Sequence, residues 1–130
     1  MNIRPVAEMV READAAVRTI TPEDARAAVG AGDAVLVDIR DVRELDREGR
    51  VSGAVHAPRG MLEFWFDPQS EYHKPRFAQP DKTFILFCAA AGRSALAAKS
   101  LQDMGFDNVA HIAGGFGRWR DEGLPLEVGS

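Results

Sequence analysis

Short, mostly apolar runs separated by stretches of helical periodicity form the clearest pattern along the chain. Three of these runs, at 35–39, 84–87 and 109–112, have the length and the content of branched or aromatic residues that are typical of buried strands. Their apolar residues follow one another rather than alternate, which is expected when both faces of a sheet are covered. The pattern predicts an α/β fold with a mainly parallel sheet and helices on both faces.

Helices and shorter strands are predicted between these runs. The expected helices lie at 5–17, 22–30, 42–47, 61–66, 95–104 and 116–122, and further strands at about 20 and at 54–55. One face of the first helix carries its apolar residues: Val6, Met9, Val10, Ala13 and Val17. Thr21 and Ser94 are candidate amino-terminal caps, and Gly105 stands where a glycine often ends a helix.

The length of 130 residues fits one domain with a substantial core. We expect a helical extension at 1–18 that packs on a single domain at 19–128. No apolar stretch approaches the ~20 residues of a membrane span, and the charged amino-terminal segment lacks the apolar core of a signal peptide. These features predict a cytoplasmic protein without a membrane partner.

Composition narrows the function classes further. The chain has 20 acidic and 16 basic residues, and a net charge of -4 argues against nucleic acid as a partner. His56, His73 and His111 lie far apart in sequence without ligand-type neighbours, so no metal site is expected. A single cysteine excludes an internal disulfide and leaves no second thiol to resolve a group bound to the first.

That cysteine, Cys88, provides the strongest chemical signal. It follows the predicted strand at 84–87 and precedes a loop of small residues and a predicted helix, so the helix amides and Arg93 should favour the nucleophilic thiolate. We therefore expect Cys88 to be catalytic. The substrate-binding residues are expected to be those that follow it, whose amides can surround a group on the sulfur: Ala89, Ala90, Ala91, Gly92, Arg93 and Ser94.

Three other roles are conceivable for this segment. A free cysteine is often only a small buried apolar residue, but that role requires neither a loop of alanine and glycine nor an arginine at the helix start. A nucleotide-binding loop would need a lysine after Gly92. Cysteine phosphatases place five residues between nucleophile and arginine, whereas four separate Cys88 from Arg93 here, which suits a single sulfur atom better than a phosphoryl group.

At this point the chain resembles the rhodanese family of single-domain sulfurtransferases, over roughly residues 20–127. The strand at 35–40 ending in Asp38-x-Arg40 looks like the first family signature, and 49–58 is similar to the family's GHIPGAxNxP stretch. The GGxxxW and GxP elements at 114–119 and 123–125 look like the closing signature. Ala91 departs from the family's CxxGxR loop, which has glycine there, and would be strained if the loop required a positive φ.

The resemblance implies a sulfurtransferase that carries sulfane sulfur as a persulfide on Cys88. It implies a small anionic donor such as thiosulfate, an acceptor that is cyanide, a thiol or a sulfur-acceptor protein, and no cofactor. It also implies a structural ion pair between Asp38 and Arg40, whereas Glu44 is interpreted as a solvated or capping carboxylate. A phosphatase or arsenate reductase of the same fold and a non-catalytic binding or sulfur-carrier module remain alternatives.

Overall fold

The computed structural model describes residues 1–127, which contain seven strands. These are β1 (Arg18–Ile20), β2 (Ala34–Asp38), β3 (Arg50–Val51), β4 (Val55–His56), β5 (Thr83–Phe87), β6 (Val109–Ile112) and β7 (Leu126–Glu127). Five of them form a parallel sheet in the order β1-β6-β5-β2-β4. The carboxyl end of β5 therefore lies near the middle of the sheet edge, between β6 and β2.

Six α-helices connect the strands of the described chain. They are α1 (Val6–Ala16), α2 (Pro22–Gly30), α3 (Val42–Glu48), α4 (Leu62–Phe66), α5 (Gly92–Asp103) and α6 (Gly115–Asp121), with 3-10 turns at Arg59–Met61 and Pro75–Phe77. Thr21 caps α2 by accepting a hydrogen bond from the Asp24 amide at 3.1 Å, and Gly105 has a φ of +110° after α5, so both predicted helix ends are confirmed.

Hydrophobic cores lie on both faces of the sheet. On one face, Val37 and Leu86 contact residues of α4 and α5 such as Phe66 and Leu101. On the other face, buried apolar residues of β2, β5 and β6 pack with α2 and α6: Leu36, Ile85, Ile112, Ala25, Phe116 and Trp119. The predicted α/β architecture, with helices covering both faces, is confirmed.

The helix α1 packs along α5, but over only part of its length. Ala13 is buried, and Gln102 near the end of α5 donates a hydrogen bond to the carbonyl of Ala16 at 3.1 Å. Val6 and Met9, at the amino-terminal end of the predicted apolar face, are exposed, whereas Ala13 and Val17 are buried. A Cβ on Gly92, the first residue of α5, would lie 3.8 Å from Val10. The first turn of α1, which contains Val6, therefore extends beyond the amino-terminal end of α5 and has no part of that helix beside it.

The boundaries of β1 and α5 differ most from the predicted ones. Strand β1 ends at Ile20 instead of beginning there, and α5 begins at Gly92 instead of Ala95. The short antiparallel pairing of β3 with β7, in which Arg50 faces Glu127, was not predicted. The local pattern of either segment does not show that these two distant parts of the chain pair.

Candidate active site

Cys88 immediately follows β5, at the carboxyl edge of the parallel sheet. It is a free cysteine and is buried, with 1% of its surface exposed. Ligands of open parallel sheets generally bind outside the carboxyl ends of the strands. The chain thus places its single thiol where this architecture most often places a site.

The loop from Cys88 to α5 contains no residue with a positive φ. Ala91 is the residue before α5 and has a φ of -153°, so the alanine in place of the expected glycine imposes no positive φ. The amides of residues 89–94 have no acceptor within hydrogen-bonding distance in the described chain. The described chain therefore leaves these amides without a partner of its own.

The helix α6 holds this loop in place through hydrogen bonds to the carbonyl groups of the loop. The Phe116 amide donates to the Cys88 carbonyl at 2.8 Å, and the Gly117 amide donates to the Ala89 carbonyl at 3.0 Å. Gly115 has a φ of +57°, and a Cβ there would lie 2.1 Å from the Ala90 carbonyl oxygen. Only glycine permits this approach. In a trans peptide the N–H points away from the C=O. Because the loop carbonyls point toward α6, the amides of the same peptide units point away from it.

Arg93 lies at the first turn of α5, but its side chain is held by Glu44. Its two terminal nitrogens donate to the two Glu44 carboxylate oxygens at 2.8 and 2.9 Å, while 44% of the arginine side chain remains exposed. This pairing raises the pKa of Arg93 above its ordinary value, with a smaller contribution from the charge of Cys88. The Arg93 hydrogen bonds lower the pKa of Glu44 to about 2.

Glu44 also has the capping role that the sequence favoured. Its carboxylate accepts a hydrogen bond from the Asp41 amide at 3.0 Å and completes a capping box at the start of α3. One carboxylate therefore joins the start of α3 to the arginine of the Cys88 loop, across 49 positions of sequence.

Ser94 does not cap α5, contrary to its predicted role, because the helix begins before it and Ala91 occupies the capping position. Its side chain is buried. The Ser94 hydroxyl lies 3.7 Å from the Cys88 sulfur, 3.1 Å from the Ala91 carbonyl oxygen and 2.9 Å from His111 Nδ1. The hydroxyl therefore connects the cysteine to a histidine on the neighbouring strand.

His111 and Asp14 were not among the candidate site residues. His111 is fully buried on β6, and its Nε2 lies 2.9 Å from the Asp14 carboxylate on α1. Thr19 on β1 also contacts His111 Nε2, at 3.2 Å. A serine at the start of α5 and a lone histidine in a predicted strand were the available signals, but neither indicated that the two residues meet.

Asp38 and Arg40 form a buried ion pair. Arg40 has no exposed surface, donates to the Asp38 carboxylate at 2.8 Å and to the Gly49 carbonyl at 2.9 Å, and lies 4.0 Å from the ring centroid of Phe116. A second contact reaches Glu48 at 3.7 Å. The pair joins the end of β2 to the segment after α3 and to α6.

Residues 1–127 contain neither a cluster of metal ligands nor a helix that could span a membrane. No group of three or more histidine, cysteine, aspartate or glutamate side chains there could hold a metal ion. No helix in that range is long and apolar enough to cross a membrane.

Similarity to known proteins agrees with the fold. The chain is 33% identical over 110 residues to the thiosulfate sulfurtransferase GlpE of Glaesserella parasuis, covering 85% of this chain and 93% of that protein. It superposes on the polysulfide-sulfur transferase homodimer of Wolinella succinogenes with a TM-score of 0.73 and 32% identity, covering 95% of this chain and 87% of that one.

A third relative is more similar in both sequence and structure. It is a protein of unknown function from Rhodopseudomonas palustris, a possible tyrosine phosphatase, with 53% identity and a TM-score of 0.91 over 98% of this chain and 97% of that one. The family model of the rhodanese-like domain matches residues 21–122. The chain therefore belongs to the rhodanese-like domain family.

Proposed function

We propose that this protein is a sulfurtransferase that moves a sulfane sulfur from thiosulfate, or from a similar small anionic donor, to cyanide or a thiol acceptor. The observation that carries the proposal is the loop after Cys88, whose carbonyls bind α6 and whose amides have no acceptor in the described chain. Such amides can stabilise a terminal sulfur that carries negative charge. The sulfurtransferases among the relatives support the same reaction class.

The reaction is a double displacement. The Cys88 thiolate attacks the outer sulfur of thiosulfate, the sulfur–sulfur bond of the donor breaks, and sulfite leaves with the electron pair. The enzyme then carries a Cys88 persulfide, whose terminal sulfur the amides of residues 89–94 hold. An acceptor nucleophile bonds to that sulfur and returns the thiolate. No net oxidation occurs, and no cofactor takes part in either half.

Arg93 contributes charge for the anionic donor. Because Glu44 occupies both of its terminal nitrogens, the donor must bind beside this pair or replace one of its hydrogen bonds. The partial exposure of the Arg93 side chain is compatible with either arrangement. Asp38 and Arg40 have a structural role in this proposal, because their pair contacts the scaffold rather than the sulfur.

The test is intact mass after thiosulfate treatment, followed by thiocyanate formation on addition of cyanide. The parent protein is expected to gain one sulfur atom and to lose it to cyanide, with ping-pong kinetics. Cys88→Ser is the control and should do neither, because a hydroxyl neither ionises near neutral pH nor carries sulfane sulfur. Transfer by the serine variant at even a tenth of the parental rate would overturn the assignment of Cys88.

Phosphate ester hydrolysis is a second candidate function, because the relative with 53% identity is a possible tyrosine phosphatase. The four residues between Cys88 and Arg93 weigh against it, since a shorter loop makes a tighter ring of amides. An aryl phosphate assay on the same preparation separates the two activities. A phosphatase of this fold would release phenol faster than it forms thiocyanate.

A further inference from the structure

Four side chains form a continuous hydrogen-bonded chain from the catalytic sulfur to the protein surface. Cys88 contacts Ser94, Ser94 contacts His111 Nδ1, and His111 Nε2 contacts Asp14, at 3.7, 2.9 and 2.9 Å. The cysteine, serine and histidine are buried, whereas the Asp14 side chain is 54% exposed. The mechanism described above uses only the cysteine.

The polar contacts of His111 determine where its protons lie. Nε2 must carry a proton because it faces the Asp14 carboxylate at 2.9 Å. In the neutral ring Nδ1 then has a lone pair, which accepts the proton of the Ser94 hydroxyl. Thr19 is the other side chain at Nε2, and it is uncharged. Asp14 is thus the charged group in contact with this histidine in the described chain.

This arrangement allows one proton to leave the sulfur. When the Cys88 thiol donates its proton to Ser94 Oγ, the original Ser94 proton passes to His111 Nδ1. The products are a Cys88 thiolate that accepts a hydrogen bond from Ser94 and an imidazolium paired with the Asp14 carboxylate. The net charge of the four groups is unchanged, and no electron transfer or co-reactant is required. A nucleophile, a base and a group that orients the base are the usual parts of an activated nucleophile.

We propose that His111 is the base that ionises Cys88 through Ser94, and that Asp14 is a positioning residue that stabilises the imidazolium. The inference rests on the proposed function, because the relay serves sulfur transfer by supplying the thiolate that this reaction requires. It assigns a role to α1, which precedes the matched family region at 21–122. The extension at 1–18 would then contribute to the reaction as well as pack on the domain.

The Ala91 carbonyl competes for the same Ser94 proton, at 3.1 Å. While Ser94 donates to Ala91, it cannot donate to His111, and its oxygen accepts instead. Only a protonated His111 has an Nδ1 proton to give in that arrangement. With a neutral His111, the hydroxyl donates to Nδ1; with a protonated His111, it accepts from Nδ1 and gives its one proton to the Cys88 thiolate or to the Ala91 carbonyl. The hydroxyl therefore has partners in both states of the histidine, as a proton relay requires.

The decisive variant is Asp14→Asn, because this side chain is half exposed and its replacement leaves the core intact. Glu12→Gln is the matched control, since it removes one negative charge from the same helix outside the relay. The readout is the ultraviolet absorbance of the thiolate at neutral pH, measured against Cys88→Ser; it requires neither a sulfur donor nor access to the sulfur. We expect Asp14→Asn to lower the thiolate fraction by about tenfold, the effect of losing an opposite charge at this distance, and Glu12→Gln to leave it unchanged.

Two buried variants extend the test. Ser94→Ala removes the connection, and His111→Asn keeps a hydrogen-bonding group near Ser94 but cannot take a proton; both should lower the thiolate fraction at least as far as Asp14→Asn, provided that circular dichroism matches the parent. Equal thiolate absorbance in Asp14→Asn and Glu12→Gln would overturn the relay. If the relay variants lose thiolate while the parent transfers no sulfur, the relay stands and the proposed function fails.

Discussion

Arg93 and Glu44 share two hydrogen bonds, of 2.8 and 2.9 Å, directly beside the loop that carries the nucleophile. The pair has two opposite effects on binding of the donor in the proposed reaction. An anionic donor needs the positive charge of Arg93, yet Glu44 neutralises that charge and holds the guanidinium in a fixed orientation. Glu44 therefore lowers the attraction for the donor while it orders the residue that binds it.

Glu44→Gln tests this opposition. The amide oxygen of glutamine can still accept the Asp41 amide of the capping box, but the charge that competes for Arg93 is lost. We expect the KM for thiosulfate to fall by about two- to fivefold, which corresponds to the loss of a partly exposed ion pair worth about 1 kcal/mol, with little change in kcat. Asp46→Asn, on the same helix, is the charge-matched control. A KM that stays constant would show that Glu44 does not oppose donor binding, and a KM that rises would show that Glu44 assists it; either result contradicts the prediction.

The Arg93–Glu44 pair also makes the free energy of unfolding depend on pH. The pKa of Glu44 is about 2 in the folded protein against an ordinary value of 4.5, so the folded state binds this proton less readily than the unfolded state. A depressed carboxylate pKa contributes stability above about pH 4.5 and loses it as the pH falls toward 2. The difference in unfolding free energy between the parent and Glu44→Gln should therefore be constant from pH 7 to 5 and shrink below that.

Urea denaturation at a series of pH values measures this difference. The pKa of Asp41 is also lowered to about 2, mainly by Arg43, but this carboxylate is present in both proteins and cancels from the comparison. A difference that stays constant down to pH 3 would contradict the prediction.

Gly115 is expected to be essential to the loop. Alanine there would need a left-handed backbone, at a cost of about 1–2 kcal/mol, and its Cβ would collide with the Ala90 carbonyl, adding about 1–3 kcal/mol for overpacking. Gly123→Ala is the matched control, because its φ of +73° is similar and no atom lies within 4 Å of the added Cβ. Gly115→Ala should be the less stable variant in urea and should lose sulfur transfer even when folded. Equal losses in the two variants would show that the contact with the loop is unimportant.

The parts of the fold that depend on local sequence were predictable. The runs at β2, β5 and β6 could be recognised as strands because they are short and apolar on both faces. Thr21 and Gly105 could be recognised as helix ends because capping depends on residues within one turn. Cys88 could be located because a strand, a small-residue loop and a helix follow one another without interruption.

The long-range relationships of the site were not predictable in this way. Asp14 and His111 are 97 positions apart, and nothing in either segment indicates that α1 approaches β6. Ser94 has the chemistry of a helix cap, so its local signal indicated the wrong role; the helix begins at Gly92, and the hydroxyl is left inside the protein. Tertiary packing determines both the contact of Asp14 with His111 and the buried position of the Ser94 hydroxyl.

Loop length is expected to decide between sulfur and phosphate chemistry. With four residues between Cys88 and Arg93, the ring of amides should be too small for a phosphoryl group, so the parent protein should hydrolyse p-nitrophenyl phosphate at a negligible rate. Inserting one glycine between Ala90 and Ala91 gives the spacing of cysteine phosphatases. That variant should lose sulfur transfer, because its amides no longer converge on one sulfur atom, and should bind phosphate or arsenate more tightly than the parent.

The insertion lies beside the Ala90 carbonyl that contacts Gly115, so the variant must first match the parent in circular dichroism and in its urea midpoint. Isothermal titration with phosphate and the thiocyanate assay then measure the two expected changes. Cys88→Ser in the inserted background separates oxyanion binding by the amides from chemistry at the sulfur. Hydrolysis of aryl phosphates by the parent faster than its transfer of sulfur would reverse the argument from loop length and make the phosphatase the better assignment.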